Sequence, residues 1–160
     1  MKDLISIVNY IVDKSIQMKN KYTSAKDSQI EFACVFCQSE EEYRKLTDEI
    51  ESLGKVVQDT PTGFTYLLNH PLKNPAGSLF LVKIRKPDPQ RKERGDTDFN
   101  TDYQEFKRKY GNRPNFELID RENFEMLRLS NPDYDVMVCF SSTPLGKILG
   151  IKKRWAIKLH

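Results

Sequence analysis

The sequence lacks several features that would point directly to a function. It has no apolar run approaching the length of about 20 residues that a membrane-spanning helix needs, so no membrane partner is predicted. The sequence also has no large excess of positive over negative charge, because 26 Lys and Arg against 23 Asp and Glu leave a net charge of only +3. That balance argues against strong binding to polyanions. Histidine occurs only at His70 and His160, and no glycine-rich phosphate loop, serine nucleophile elbow or HExxH motif is present.

Cysteine is equally scarce. Cys34, Cys37 and Cys139 are an odd number of thiols in a chain long enough to fold without disulfides, which predicts a reducing, cytoplasmic location. Cys34 and Cys37 form a C-x-x-C pair in an apolar run, and no second pair of metal ligands accompanies it. Because residues three apart on a strand point to opposite faces, we interpret this pair as small buried hydrophobic residues, not as a redox or zinc site.

The residues that are present are typical of one folded domain. The 9 Phe, the 7 Tyr and the 38% of hydrophobic residues are too many for a disordered chain. The N-terminal segment is not predicted to be a signal peptide, because Asp3 appears at once and Asp13 interrupts the hydrophobic stretch. Its apolar residues follow helical spacing, which predicts an amphipathic helix over residues 3–21, followed by a polar linker over 23–28.

Beyond the linker, one pattern of strands and helices occurs twice. Ser39 and Glu42 form a predicted capping box at the start of a helix that ends at Gly54, and a second helix is predicted over 101–110. The predicted strands are 30–37, 55–58, 63–68 and 78–85 in the first half, and 95–100, 115–119, 124–129 and 134–140 in the second. Both halves therefore have the order β-α-β-β-β, although they share no obvious residue identity.

This order predicts the fold class and the domain limits. We expect an α+β protein in which the paired β-α-β-β-β units form a curved mixed sheet, with helices on the convex face and the concave face open. The predicted segments are an N-terminal accessory helix with its linker (1–28), the paired-unit domain (29–145) and a basic C-terminal tail (146–160).

The same layout carries a resemblance to known families. The relevant residues are the strand Val82-Lys83-Ile84, the Pro-Asp-Pro loop at 87–89 with Arg91, and the segment Gly95–Phe99. With the paired β-α-β-β-β units, they make residues 30–140 resemble the YecM family, a bacterial group considered related to the vicinal-oxygen-chelate fold of glyoxalases and extradiol dioxygenases. The resemblance implies a glyoxalase-like curved sheet with a site in its open cup.

The resemblance also implies where site residues would lie, on the first and last strands of each unit. The matching positions are Glu31, Lys83 and Asp98, and Asp98 stands where the YecM-like pattern has histidine. Lys83 departs from the pattern, because an ammonium repels a metal ion where a ligand should offer a lone pair. Three interpretations stay open: a divalent metal (Mg²⁺ or Ca²⁺) on Glu31 and Asp98 with Asp96, pairing of Lys83 with these carboxylates, or a pocket for a polar organic ligand. Glu125 is a further pocket candidate.

Basic residues form three stretches. The predicted basic patch surrounds the proline-rich loop and comprises Arg85, Lys86, Arg91, Lys92 and Arg94. The others lie at 107–113, at the end of the second predicted helix, and at 152–155, where the single tryptophan follows three cations. Cations beside an aromatic residue can bind nucleic acid through phosphate contacts and stacking. Acidic residues lie between these stretches, so we favour simple solvation over a nucleic-acid partner.

The favoured function is accordingly a binding or interaction protein with a polar concave site for a small polar ligand. One alternative is a metal-dependent lyase, isomerase or hydrolase of the vicinal-oxygen-chelate type, in which a metal polarises a substrate oxygen and a carboxylate moves a proton. A second alternative is a nucleic-acid-binding protein that uses its basic loops. The sequence leaves open whether the protein is an enzyme and whether it forms a homodimer.

Overall fold

The computed structural model describes residues 2–151, within which eight strands and four helices form. The helices are α1 (Leu4–Tyr22), α2 (Glu40–Glu51), α3 (Tyr103–Tyr110) and α4 (Leu145–Ile148). The strands are β1 (Ile30–Phe36), β2 (Gly54–Thr60), β3 (Gly63–Asn74), β4 (Gly77–Arg85), β5 (Gly95–Phe99), β6 (Phe116–Asp120), β7 (Glu125–Leu129) and β8 (Val136–Ser141). No helix in this range is both long and apolar enough to cross a membrane. The predicted cluster at 152–155 and His160 lie outside the described residues.

All eight strands belong to one open, curved and mostly antiparallel sheet, with the order β2-β3-β4-β1-β5-β8-β7-β6. Within each half, the first and last strands pair in parallel, β1 with β4 and β5 with β8. The halves join where β1 and β5 pair antiparallel at the centre. The prediction of an α+β protein with a mixed sheet is therefore confirmed, and the element order contains β-α-β-β-β twice.

Helix α1 packs across the middle strands of the sheet and supplies much of its core. Asp3 caps the helix by accepting a hydrogen bond from the Ser6 N–H at 2.8 Å. The buried side chains of its apolar stripe are Leu4, Ile7, Val8, Ile11, Val12 and Met18. A Cβ at Gly95 would lie 2.7 Å from Cδ1 of Ile11 and 2.3 Å from the Cys34 carbonyl oxygen, so only glycine permits this close packing of helix on strand.

The start of α2 is tied to the loop that precedes β5. The Ser39 hydroxyl accepts a hydrogen bond from the Glu42 N–H at 3.1 Å, as the predicted capping box requires. The Glu42 carboxylate reaches back one residue further than Ser39, to the Gln38 N–H at 2.9 Å, and pairs with Arg94 at 2.7 Å. Arg94 also donates to the Phe36 carbonyl at 2.7 Å, so one guanidinium joins the end of β1 to α2.

Two local features differ from the sequence prediction, and the predicted strand at 95–100 forms against its local propensity. The strand predicted to end at residue 68 continues as β3 to Asn74, past a register shift between Leu67 and Leu72, and so includes His70. The short helix α4 was not predicted. The acidic segment Gly95–Phe99 has weak strand propensity but forms a central strand, because β1 and β8 on either side satisfy its backbone.

Candidate functional site

The two faces of the sheet have different environments. On one face, Ala33 and Val35 of β1 join the main hydrophobic core with residues of α1, α2 and α3. On the other face, Phe32, Cys34 and Phe36 lie at the bottom of a cavity of about 510 Å³, which we call the cup. That volume falls within the range of about 300–1,000 Å³ that is usual for small-molecule sites.

The strand register places four cup side chains in a row. Cys34 of β1 lies between Lys83 of β4 and Asp96 of β5, and Asp96 is followed by Met137 of β8. Neighbouring strands are about 4.8 Å apart, so the Lys83 and Asp96 backbones are separated by about 10 Å, with Cys34 between them. This spacing leaves room for a small molecule between an amine and a carboxyl group.

The floor of the cup is apolar. Cys34, Phe36 and Met137 form a separate buried cluster, against which Phe32 packs. Burial raises the pKa of the Cys34 thiol well above its ordinary value and raises that of Cys37 to about 12. Cys34 lies in the cup cluster and Cys37 in the main core, so the prediction of two buried thiols on opposite faces is confirmed.

Cations predominate on the walls of the cup. The cationic lining residues are Lys83, Arg85, Arg91, Arg121 and Arg128. Arg85 pairs with Asp88 at 3.2 Å and lies over the Phe36 ring at 5.0 Å. Within residues 2–151, the only hydrogen bond that the Arg128 side chain donates is to the thioether sulfur of Met137, at 3.8 Å. The Nε atoms of Arg85 and Arg128 are buried and have no hydrogen-bond partner within residues 2–151. Buried donors of this kind are expensive unless a ligand or water satisfies them.

Two carboxyl groups, those of Asp96 and Asp98 on β5, also line the cup, across β1 from Lys83 and Arg85 on β4. Asp98 is 8% exposed, accepts a hydrogen bond from the Ser141 N–H at 3.2 Å and is also bonded by the Ser141 hydroxyl. Burial raises its pKa to about 7, and the neighbouring Asp96 and Glu31 carboxylates act in the same direction. Burial likewise raises the pKa of Asp96 to about 6, against the opposing effect of Arg128. Around neutral pH the cup therefore contains less negative charge than its two aspartates suggest.

Lys83 is held by a neutral partner. Its Nζ donates to the Thr62 hydroxyl at 2.6 Å, and Lys83 takes part in none of the ion pairs found among residues 2–151. Burial lowers its pKa, and the positive charges of Arg85 and Arg121 lower it further. The predicted pairing of Lys83 with Glu31 or Asp98 is thus not formed, because the loop after β2 places Thr62 within reach of the amine.

The residues at the implied metal position do not fit a metal ion. One oxygen of Glu31 accepts from the Gly146 N–H at 2.8 Å and the other from the Asn100 amide at 2.9 Å, so both are engaged at the start of α4 and the end of β5. Asp98 is bonded to Ser141. Across residues 2–151, no three His, Cys, Asp or Glu side chains converge closely enough to hold a metal.

Several predicted site residues lie away from the cup. Glu125 accepts from Tyr103 at 2.8 Å and Lys107 at 2.6 Å, both on α3, so its side chain faces the helices. Of the predicted basic patch, Arg85 and Arg91 line the cup, whereas Arg94 binds Glu42 on the other side. The two lysines of the patch, Lys86 and Lys92, are exposed and do not line the cup. The patch is therefore divided between several surfaces.

The cup also contains residues that sequence reasoning missed. Arg128 alternates with Leu127 and Leu129, which are fully buried in the main core, so strand alternation directs the Arg128 side chain to the opposite face. A cation inside an apolar strand is the pattern that could have identified it. Arg121 and Thr62 lie in loops, and no local pattern indicates that they approach Lys83.

Comparisons with known proteins give a fold but no family. No protein-family model and no curated protein matches the chain. A solved structure titled "Structural Genomics, Protein EC4020" is similar, with a TM-score of 0.71 over 91% of this chain and 88% of that chain. The two sequences are 10% identical, so the similarity concerns the fold alone.

Proposed function

We propose that the protein binds a small organic anion in the cup. The observation that carries this proposal is the charge of the lining, in which five cations surround two carboxyl groups whose pKa values are raised to about 6 and 7. Because Arg85 has a carboxylate partner and burial lowers the pKa of Lys83, the excess of positive charge belongs chiefly to Arg91, Arg121 and Arg128. A low-dielectric cleft lined by one sign of charge attracts ligands of the opposite sign.

The apolar floor defines the rest of the ligand. Phe32, Phe124 and Met126 line the cup and are only partly buried, so they offer aromatic and thioether surface, which favours a flat or hydrocarbon body beside the charged group. The guanidinium groups of Arg91, Arg121 and Arg128 line the cup and can bind a carboxylate or phosphate. We therefore propose a ligand with an anionic head and an apolar body, small enough for about 510 Å³.

We also propose that the fold is of the vicinal-oxygen-chelate type and related to the YecM family. The support is the adjacency of two β-α-β-β-β units through antiparallel β1 and β5, with an open cup on one face. The proposal concerns architecture, since the implied metal ligands do not converge. A cytoplasmic location is likewise proposed, on the three unpaired thiols.

Thermal stabilisation by matched ligands tests the binding proposal. Phenylacetate and phenyl phosphate should raise the melting temperature of the full chain in a concentration-dependent way. Phenethylammonium, which has the same apolar body and the opposite charge, should have no effect. Added NaCl should weaken the binding of both anions, because part of their attraction to the cup is electrostatic. The proposal would be contradicted if the anions and the cation raised the melting temperature equally, or if neither anion raised it.

Arg128→Met tests whether the cations of the cup bind the anion, and Arg44→Met is its control. Methionine preserves most of the apolar stem while removing the charge, so calorimetry should show anion binding weakened by at least about tenfold. Arg44→Met removes an exposed charge from α2, on the opposite face of the sheet, and should leave binding unchanged. Unaltered affinity in Arg128→Met would show that the cup cations do not bind the anion.

A further inference from the structure

We infer that Lys83 forms a reversible imine with the carbonyl group of a 2-oxo acid held in the cup, an inference that rests on the proposed function. The charge of the lining indicates an organic anion in general. The combination of an amine, guanidinium groups and a carboxyl group above an apolar floor indicates a narrower class of ligand. Charge would admit any organic anion, whereas an amine selects one that carries a carbonyl.

The position of Lys83 suits attack on a bound carbonyl. It lines the cup, and its Nζ is oriented by a hydrogen bond to Thr62. Since Nζ is the donor in that bond, a neutral amine keeps its lone pair directed elsewhere. The Thr62 hydroxyl contacts that of Thr60 at 3.2 Å, and the latter donates to the Gly63 carbonyl at 2.7 Å, which fixes the chain of hydroxyl groups.

The surroundings of Lys83 favour the reactive, neutral amine. The groups that act on it are Cys34, Arg85, Asp96 and Arg121. Burial is the largest effect and lowers the pKa of Lys83, as do Arg85 and Arg121. Cys34 and Asp96 act in the opposite direction, but the Cys34 thiol stays uncharged at neutral pH because burial raises its own pKa well above the ordinary value. A lysine desolvated beside other cations is a recognised form of activated nucleophile.

The carboxylate of a 2-oxo acid would lie beside Arg85. Lys83 and Arg85 are two residues apart on β4, so their side chains project from the same face about 7 Å apart along the strand. In a 2-oxo acid, the carboxylate is bonded directly to the carbonyl carbon, and the long arginine side chain can span the remaining distance. The Arg85 guanidinium lines the cup and binds Asp88 through one Nη atom, so its other Nη atom is the donor for that carboxylate.

The chemical step is a condensation. The Nζ lone pair forms a bond to the carbonyl carbon, and the oxygen takes up a proton as nitrogen loses one, which gives a carbinolamine. The hydroxyl group then leaves as water, taking the second amine proton, and a carbon–nitrogen double bond remains. Asp96 lies across Cys34 from Lys83, and its pKa of about 6 suits a group that passes these protons.

Reductive trapping tests the inference. The full chain is incubated with pyruvate or phenylpyruvate and cyanoborohydride, whose hydride reduces the imine to a stable secondary amine, and adducts are mapped by peptide mass spectrometry. Labelling of Lys83 should exceed that of the exposed Lys86 by at least about tenfold, in line with a lowered amine pKa. Equal labelling of the two lysines, or no adduct on Lys83 with either acid, would overturn the inference.

Two variants separate the amine from general effects. Lys83→Arg keeps the positive charge but has no primary amine, and it should abolish the selective adduct without altering the melting temperature greatly. Lys86→Arg should leave the Lys83 adduct unchanged. If Lys83→Arg shows the same total labelling as the parent protein, the reactive amine lies elsewhere and the inference is wrong.

Phenyllactate distinguishes this inference from the proposed function. It matches phenylpyruvate in charge and apolar body but carries a hydroxyl group in place of the carbonyl, so it can bind but cannot form an imine. Stabilisation by phenyllactate without trapping of phenylpyruvate would preserve the anion site and reject the imine. If neither acid stabilises the protein and no adduct forms, both proposals fail.

Discussion

Single residues in the cup show how burial changes the chemistry that the sequence suggests. Asp96 and Asp98 look like ordinary metal-binding carboxylates in the sequence. In the folded chain, both point away from the helices into a partly closed cavity, and burial raises the pKa of each. The same burial lowers the pKa of Lys83. The cup therefore contains three groups, Asp96, Asp98 and Lys83, whose charged forms are disfavoured by burial, which is typical of sites that bind or transform ligands.

Asp98 gives the first prediction, a pH dependence of stability. Its pKa rises from 3.8 to about 7 on folding, so the folded protein holds this proton more tightly than the unfolded chain. Stability should then fall as pH rises between about 4 and 7. In urea titrations, the free energy of unfolding relative to that of Asp98→Asn should decrease by about 3 kcal/mol across this range. Parallel pH profiles for the two proteins would contradict the assigned pKa.

Glu42 gives a second prediction at this scale. Its side chain is only 11% exposed, and its carboxylate binds both the Gln38 N–H and Arg94. Glu42→Gln should therefore lower the free energy of unfolding by about 1.5–3 kcal/mol, the range for hydrogen bonds to charged groups. Glu41→Gln, on the exposed side of the same first helical turn, should cost less than about 0.5 kcal/mol. Chemical denaturation compares the two directly; similar costs would mean that the Arg94 contact adds nothing.

At the scale of elements, α1 is the main support of the central strands. Its buried side chains belong to the same core cluster as those of β1, β5 and β8, and the close approach at Gly95 shows how tightly the helix packs. The cup lies on the opposite face of these strands, so α1 holds the cup floor in place from behind. The predicted division at residue 28 stays a prediction.

Two isoleucines on α1 test this role. Ile11 is fully buried against the sheet, and Ile5 is 37% exposed. Ile11→Ala should lower the free energy of unfolding by about 2–5 kcal/mol, because it leaves a cavity between helix and sheet. Ile5→Ala should lower it by less than about 1 kcal/mol. If both variants lose the same small amount, α1 is only loosely attached and does not support the sheet.

At the scale of the whole molecule, charge is distributed unevenly. The net charge of +3 suggests no strong field, yet the described structure concentrates five cations around one cavity. Local arrangement, and not the total, therefore determines which ligand is attracted. The predicted basic patch shows the reverse. Its residues are close together in the sequence, but they lie on different surfaces of the folded protein.

A further prediction follows for divalent metals. Because the Glu31 oxygens are already hydrogen-bonded and no three ligands converge within the described residues, Mg²⁺, Mn²⁺, Ca²⁺ or Zn²⁺ should not raise the melting temperature. Glu31→Gln serves as the control, and its response to metals should equal that of the parent protein. A saturable rise in the parent that Glu31→Gln loses would restore the metal-dependent alternative.

The sequence by itself determined every element except the short helix α4, and it determined for many residues which face of their strand or helix they occupy. Helical spacing located α1, capping residues located α2, and alternation put Asp96 with Asp98 and separated Cys34 from Cys37. These properties depend on residues close together in the chain, whose periods of 3.6 and 2 follow directly from backbone geometry.

The tertiary structure alone decided which side chains meet. It placed Thr62 on Lys83, brought Arg121 and Arg128 from the second unit into the cup, and turned Glu125 toward α3. Such contacts depend on strand order, register and the path of loops, which join residues distant in sequence and leave no local periodic pattern. For that reason the sequence could predict a polar concave face, whereas only the folded chain could show that this face is lined mainly by cations.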